Sequence, residues 1–232
     1  LSREIVLEVC VASLEACIAA REGGAARLEV CSALDVGGLT PGWELVESAV
    51  KRAGLPVHVM IRPRAGDFVY SETELLAMQR SIDEAKDLGT DGVVFGVLRG
   101  DRSVDTVRAR LLVERARPMQ ITFHRAFDEV GDLDAALEDV IALGCDRILT
   151  SGGAPDVVAG AGMLARLVAR AGGRIAIAVG GGLRLKDAQE LARKTGATHF
   201  HGSLTESTGG SVAGGTVDPA VVRRMLELLQ SA

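Results

Sequence analysis

Aromatic side chains are scarce in this chain: five Phe, one Tyr and one Trp among 232 residues. A core built on stacked rings is therefore excluded, and the interior has to come from Ala, Val, Leu and Ile. Cysteine is also sparse. Four residues (Cys10, Cys17, Cys31, Cys145) in a chain of this length do not make a disulfide framework, and a reducing cytoplasm is expected. No apolar run approaches the roughly 20 residues that span a bilayer. Glu4, Glu8 and Glu15 interrupt the N-terminal apolar stretch, against a signal peptide. Nor is there an excess of positive charge. The formal net charge is −5 with Lys and Arg scattered, which argues against nucleic acid as a partner but leaves room for a local anion site.

What is present is a repeated alternation. Short apolar runs that read as strands occur at Ile5–Val11, Arg27–Ser32, Val57–Pro63, Gly92–Leu98, Gln120–Phe127, Arg147–Gly152, Arg174–Gly180 and His199–Ser203. Amphipathic stretches separate them, such as Thr73–Leu88, with Leu75, Leu76, Met78, Ile82, Ala85 and Leu88 on one side, and Val104–Arg117. Gly23, Gly54, Gly89, Gly144 and Gly196 follow helical stretches, as C-terminal caps do. Eight strand–helix units predict parallel strands with right-handed crossovers and a closed (β/α)8, or TIM, barrel forming one domain over residues 1–232. An open doubly wound sheet is the alternative. It usually carries a glycine-rich first turn, whereas this one reads Val11-Ala12-Ser13-Leu14. The Ser-, Thr- and Gly-rich stretch Thr205–Thr216 reads as a linker or a lid at the rim.

Side chains alternate along a strand. If the apolar set faces the helices, then Glu8, Cys10, Glu29, Cys31, His58, Met60, Arg62, Thr122, His124, His199 and His201 face the axis. On the sixth strand either Thr150 or Ser151 is the inward residue. Barrel interiors are normally filled by branched apolar residues, and burying polar groups is costly unless they are paired. Such an interior points to a site. His58 and His199, the deeper members, read equally well as satisfied core residues.

Several chemistries are open to these residues. Cys10 and Cys31 fall at matching points of adjacent strands, which run about 4.8 Å apart. Two thiolates suit a soft, low-coordinate ion better than four-coordinate zinc, with His58, His124 or Met60 as further ligands; they also read as two small buried apolar groups. Glu8, Glu29 and His124 are candidates for acid–base work, with Arg62 holding an anion. The two glutamates, if close, raise each other's pKa, and a neighbouring carboxylate raises that of His124. Arg64, Asp67, Arg125 and Asp128 lie on rim loops and either brace them or contact a substrate. Gly181 and Gly182 end strand seven, and Gly202 and Ser203 end strand eight, where barrel phosphate sites are often built.

The stretches Gly37-Gly38-Leu39-Thr40-Pro41, Arg62-Pro63-Arg64-Ala65-Gly66-Asp67-Phe68, Thr122-Phe123-His124-Arg125-Ala126-Phe127-Asp128 and Leu149-Thr150-Ser151-Gly152, with the two Leu-Glu-x-Cys segments, resemble the copper homeostasis protein CutC family. The resemblance implies a TIM barrel, a cytoplasmic location, homo-oligomers and Cu(I) as the bound ion, with Cys10 and Cys31 as its ligands. Some family members carry a Ser- and Met-containing segment after strand eight, where this chain has Thr205–Thr216. Two functions are therefore carried forward: a Cu(I)-binding protein of copper homeostasis, and an enzyme using acid–base chemistry on a small anionic or phosphorylated metabolite.

Overall fold

The computed structural model describes residues 4–205 and 216–232; all but the ends of the Thr205–Thr216 stretch lie outside them. Eight strands alternate with eight helices. The strands are β1 (Val6–Val11), β2 (Arg27–Val30), β3 (Val57–Met60), β4 (Gly92–Phe95), β5 (Gln120–Phe123), β6 (Arg147–Thr150), β7 (Ala176–Gly180) and β8 (His199–Gly202). Between and after them run α1 (Leu14–Glu22), α2 (Trp43–Arg52), α3 (Glu72–Asp87), α4 (Thr106–Ala116), α5 (Leu133–Leu143), α6 (Ala161–Ala171), α7 (Leu185–Thr195) and α8 (Pro219–Gln230). The strands pair in sequence order and β8 pairs with β1, so the barrel closes. It is the expected (β/α)8 fold.

Local chemistry explains the element ends. Ser71 and Glu74 form a reciprocal capping box at the start of α3. Asp105, Asp132 and Asp218 accept backbone N–H bonds at the starts of α4, α5 and α8. Gly144 and Gly196 end α5 and α7 in the left-handed conformation, which glycine adopts without strain. Helix α3 buries Leu75, Met78, Ile82 and Ala85 at three- and four-residue spacing, whereas Leu76, expected on the same side, is exposed.

Several strands stop short of their apolar runs. β5 ends at Phe123 rather than Phe127, because His124 caps a 3-10 turn over Arg125–Glu129. The residues beyond β3, β4 and β5 therefore form the rim, the C-terminal end where loops of such barrels carry their sites.

Candidate functional site

Parity holds for the key residues. Leu7, Val9, Leu28, Val30, Val57 and Val59 join the shell packed under the helices, while Glu8, Glu29 and His58 are buried in a polar interior. Two further arginines belong to that interior. Arg27 pairs with the Glu8 carboxylate, and Arg147 donates to the Thr122 hydroxyl at 2.8 Å. Arg27 stands two residues before Glu29, so the same alternation marks it; the sequence reading had stopped at the glutamate. On β6, Leu149 lines the rim cavity, and Ser151, rather than Thr150, shares its parity. The hydroxyls of Thr150 and Ser151 both bond the Asp128 carboxylate.

His201 joins the two glutamates. Its Nδ1 lies 2.8 Å from Glu8 Oε1 and its Nε2 lies 3.6 Å from Glu29 Oε2. Burial disfavours charge on this ring, yet Glu29 and Glu8 together hold its pKa above the ordinary value. Burial likewise opposes charge on Glu8, but the His201 hydrogen bond and the Arg27 charge keep its carboxyl well below the usual range. Glu29, which makes no ion pair with an arginine among the described residues, is raised by burial and by Glu8. The two carboxylates are thus driven apart rather than both raised.

His124 departs from expectation. Among the described residues no carboxylate adjoins it, and burial and Arg62 push its pKa down to about 3. Its Nδ1 accepts the Ala126 N–H at 3.1 Å, so the neutral ring carries its proton on Nε2. The residue that sits between carboxylates is His201, which faces the axis as expected but was not among the acid–base candidates.

The sulfurs of Cys10 and Cys31 lie 3.1 Å apart, and both thiols are free and buried. They are not at matching register. Cys10 pairs with Glu29, and Cys31 lies two residues further along, but their side chains converge. Met60 and Val94 pack around the pair, and a carboxylate oxygen of Glu29 comes close enough to share an ion with both sulfurs. The bond to Cys31, burial and Glu29 all raise the Cys10 pKa. Cys17 and Cys145 are raised chiefly by burial, to about 11 and about 12, and stand apart from this group.

A cavity of about 180 Å³ opens at the rim. Cys10, Glu29, Met60, Arg62, His124 and His201 line its inner part, and Arg125, Gly181, Gly182, Gly202 and Ser203 its mouth. Arg62 spends most of its guanidinium on the carbonyls of Val36, Gly38 and Gly66. Arg64 is absent from the lining: its guanidinium is bound by Glu74 and Asp67 and lies over Tyr70. Of the two roles open to it from the sequence, bracing its loop or binding an anion, it takes the first. Asp128 is likewise a brace, accepting from Thr150, Ser151, Gly153 and Arg125.

Together these features define a (β/α)8 barrel with a charged, partly thiol-lined cavity at the C-terminal ends of its strands. The chain belongs to the CutC family, whose profile matches residues 5–206. The family protein CutC of Chromobacterium violaceum is 47% identical over 198 residues, covering 85% of this chain and 80% of that one. A family protein CutC of Vibrio vulnificus is 46% identical over 197 residues, covering 84% and 79%. The crystal structure of a Streptococcus agalactiae CutC, itself only proposed to serve copper homeostasis, superposes with a TM-score of 0.80 at 33% identity, covering 86% of this chain and 98% of that one.

Proposed function

We propose that this chain binds Cu(I) through Cys10 and Cys31 and serves copper homeostasis. The observation that carries this reading is the convergence of two buried free thiols to 3.1 Å inside the barrel. Thiolate is soft and favours Cu(I) over hard ions. Glu29 and the Met60 thioether are the next donors at hand. With metal–sulfur bonds of about 2.3 Å, two thiolates on one linear ion stand about 4.6 Å apart, so loading widens the pair by over about 1 Å. Ion binding has to displace thiol protons, and Glu29 opposes their loss from Cys10. Affinity therefore falls as pH drops. Competition against a Cu(I) chelator tests this: the double change Cys10→Ser with Cys31→Ser abolishes tight binding, and Cys17→Ser with Cys145→Ser leaves it intact. Equal affinity in the first variant and the parent overturns the site. Four free thiols support a reducing, cytoplasmic setting. Homo-oligomers are carried over from the family resemblance and are read by size-exclusion with light scattering.

A second reading is favoured by His201 lying between Glu8 and Glu29 beside the cavity. It is acid–base chemistry on a small anionic metabolite, with Glu8, Glu29 and His201 handling protons and His124 and Arg62 orienting the substrate. A thermal-shift screen of small carboxylated and phosphorylated metabolites tests it, followed by turnover with His201→Asn.

A further inference from the structure

Three buried polar atoms near the rim have no hydrogen-bond partner among the described residues: Nε2 of His124, Nε of Arg62 and Oε1 of Glu29. Unsatisfied buried groups are rare in folded proteins and call for an explanation. All three side chains line the same cavity. The Nε2 of His124 carries a proton, since Nδ1 already accepts from Ala126. Arg62 keeps Nε–H after giving its terminal nitrogens to three carbonyls. These are two donors without acceptors. The Phe68 ring lies 4.9 Å from the His124 ring and 4.8 Å from Arg62 Cζ. It stands between this cavity and an outer groove of about 860 Å³ that Arg62 and Phe68 also line.

The cavity mouth adds donors of a different kind. Gly181 and Gly182 have φ of 109° and 81°, a conformation that side-chain-bearing residues rarely adopt. The backbone N–H groups of Gly181, Gly182 and Ser203 donate no backbone hydrogen bond among the described residues. The Arg125 guanidinium lies directly on Gly181, where a Cβ would stand 2.9 Å from Cζ. It uses Nε on Asp128 and one terminal nitrogen on Ser151, and among the described residues the other donates to none. A planar carboxylate is satisfied by one arginine fork. Donors approaching from two loops and an arginine suit a tetrahedral group with three acceptor oxygens, and backbone amides of this kind hold phosphates.

We propose that this cavity seats the phosphate group of a small metabolite on Gly181, Gly182 and Arg125, with the remainder of the molecule reaching His124 and Arg62. The cavity, about 180 Å³, is small, and so is the group it seats. The outer groove beyond Phe68 offers space for a longer ligand. The proposal deepens the second reading by naming its substrate class. Because it is tested by binding alone, a protein that seats phosphate without turning it over is distinguished from one that binds none.

The test is isothermal titration of the metal-free, reduced chain with inorganic phosphate, glycerol phosphate and acetate. Phosphate and glycerol phosphate are expected to bind with Kd below about 1 mM, and acetate about tenfold more weakly or worse. Arg125→Gln is expected to weaken phosphate about tenfold or more, while Cys17→Ser with Cys145→Ser, which lie outside the cavity lining, leaves it unchanged. Asp128 keeps its bonds to Thr150, Ser151 and Gly153 in the Arg125 variant, and far-UV circular dichroism checks its fold. His124→Asn supplies an independent arm, in which glycerol phosphate is expected to lose affinity. No phosphate binding by the parent at about 10 mM, acetate binding as tight as phosphate, or parental affinity in the folded Arg125→Gln protein each overturns the proposal.

Discussion

Replacing His124 by Asn should flatten the acid limb of the stability profile by an amount the structure specifies. His124 is buried and neutral, its pKa pushed down to about 3 by burial and by Arg62. In the unfolded chain the ring titrates near about 6.5. The folded value is the depressed one, so the contribution is fully present above about pH 6.5 and is lost as pH falls toward about 3. Between pH 7.5 and pH 5.0 the unfolded chain takes up nearly a full proton at this residue while the folded chain takes up almost none. Linkage then gives a loss of about 2.0 kcal/mol from this one side chain. A folded pKa one unit higher changes that figure by less than about 0.1 kcal/mol. Asn retains an acceptor for the Ala126 N–H and does not titrate. The assay is urea denaturation of parent and variant at several pH values across that window, taking the difference in slope so that other groups cancel. His201 works in the opposite sense, its raised pKa adding stability below about pH 6.5, and it is common to both proteins. Parallel profiles for the two would show that His124 is charged or exposed in the native barrel, and would remove it as a neutral donor.

Two further substitutions probe the interior and the rim. Glu8→Gln leaves the Arg27 guanidinium buried without its ion pair and should cost about 3–5 kcal/mol in denaturant unfolding, whereas the exposed change Glu15→Gln stays within about 0.5 kcal/mol; a Glu8 variant as stable as the parent refutes the pairing. Gly160→Ala places a Cβ 1.8 Å from the Ser151 carbonyl oxygen and should destabilise by about 1–3 kcal/mol. Gly162→Ala, two residues on in α6 with open space around it, should instead stabilise by up to about 1 kcal/mol. Equal thermal shifts for the two glycine variants would refute the close approach of α6 to the β6 loop.

Much of the interior was legible because strand alternation is a local property. Once Leu7, Val9, Leu28 and Val30 are assigned to the helix side, Glu8, Cys10 and Glu29 have nowhere to go but the axis, and they are there. Arg27 obeyed the same rule. The ends of the strands were less legible, since apolar residues continue past them into the rim. Phe127 is fully buried yet belongs to a 3-10 turn, and a composition rule does not separate the two.

Partnership was another matter. Glu8 meets His201, which is 193 residues away; Cys10 is in backbone register with Glu29 yet its sulfur meets that of Cys31; and Asp128 is claimed by Thr150, Ser151 and Gly153 rather than left to a ligand. By itself, then, the sequence determined the repeat of strand and helix, the inward set on most strands and the glycine-rich mouth, because periodicity, capping and backbone freedom act over a few residues. Which inward groups touch was decided only in the closed barrel. Closure staggers every strand against its neighbour, and that stagger sets which histidine lies beside a carboxylate and which remains neutral.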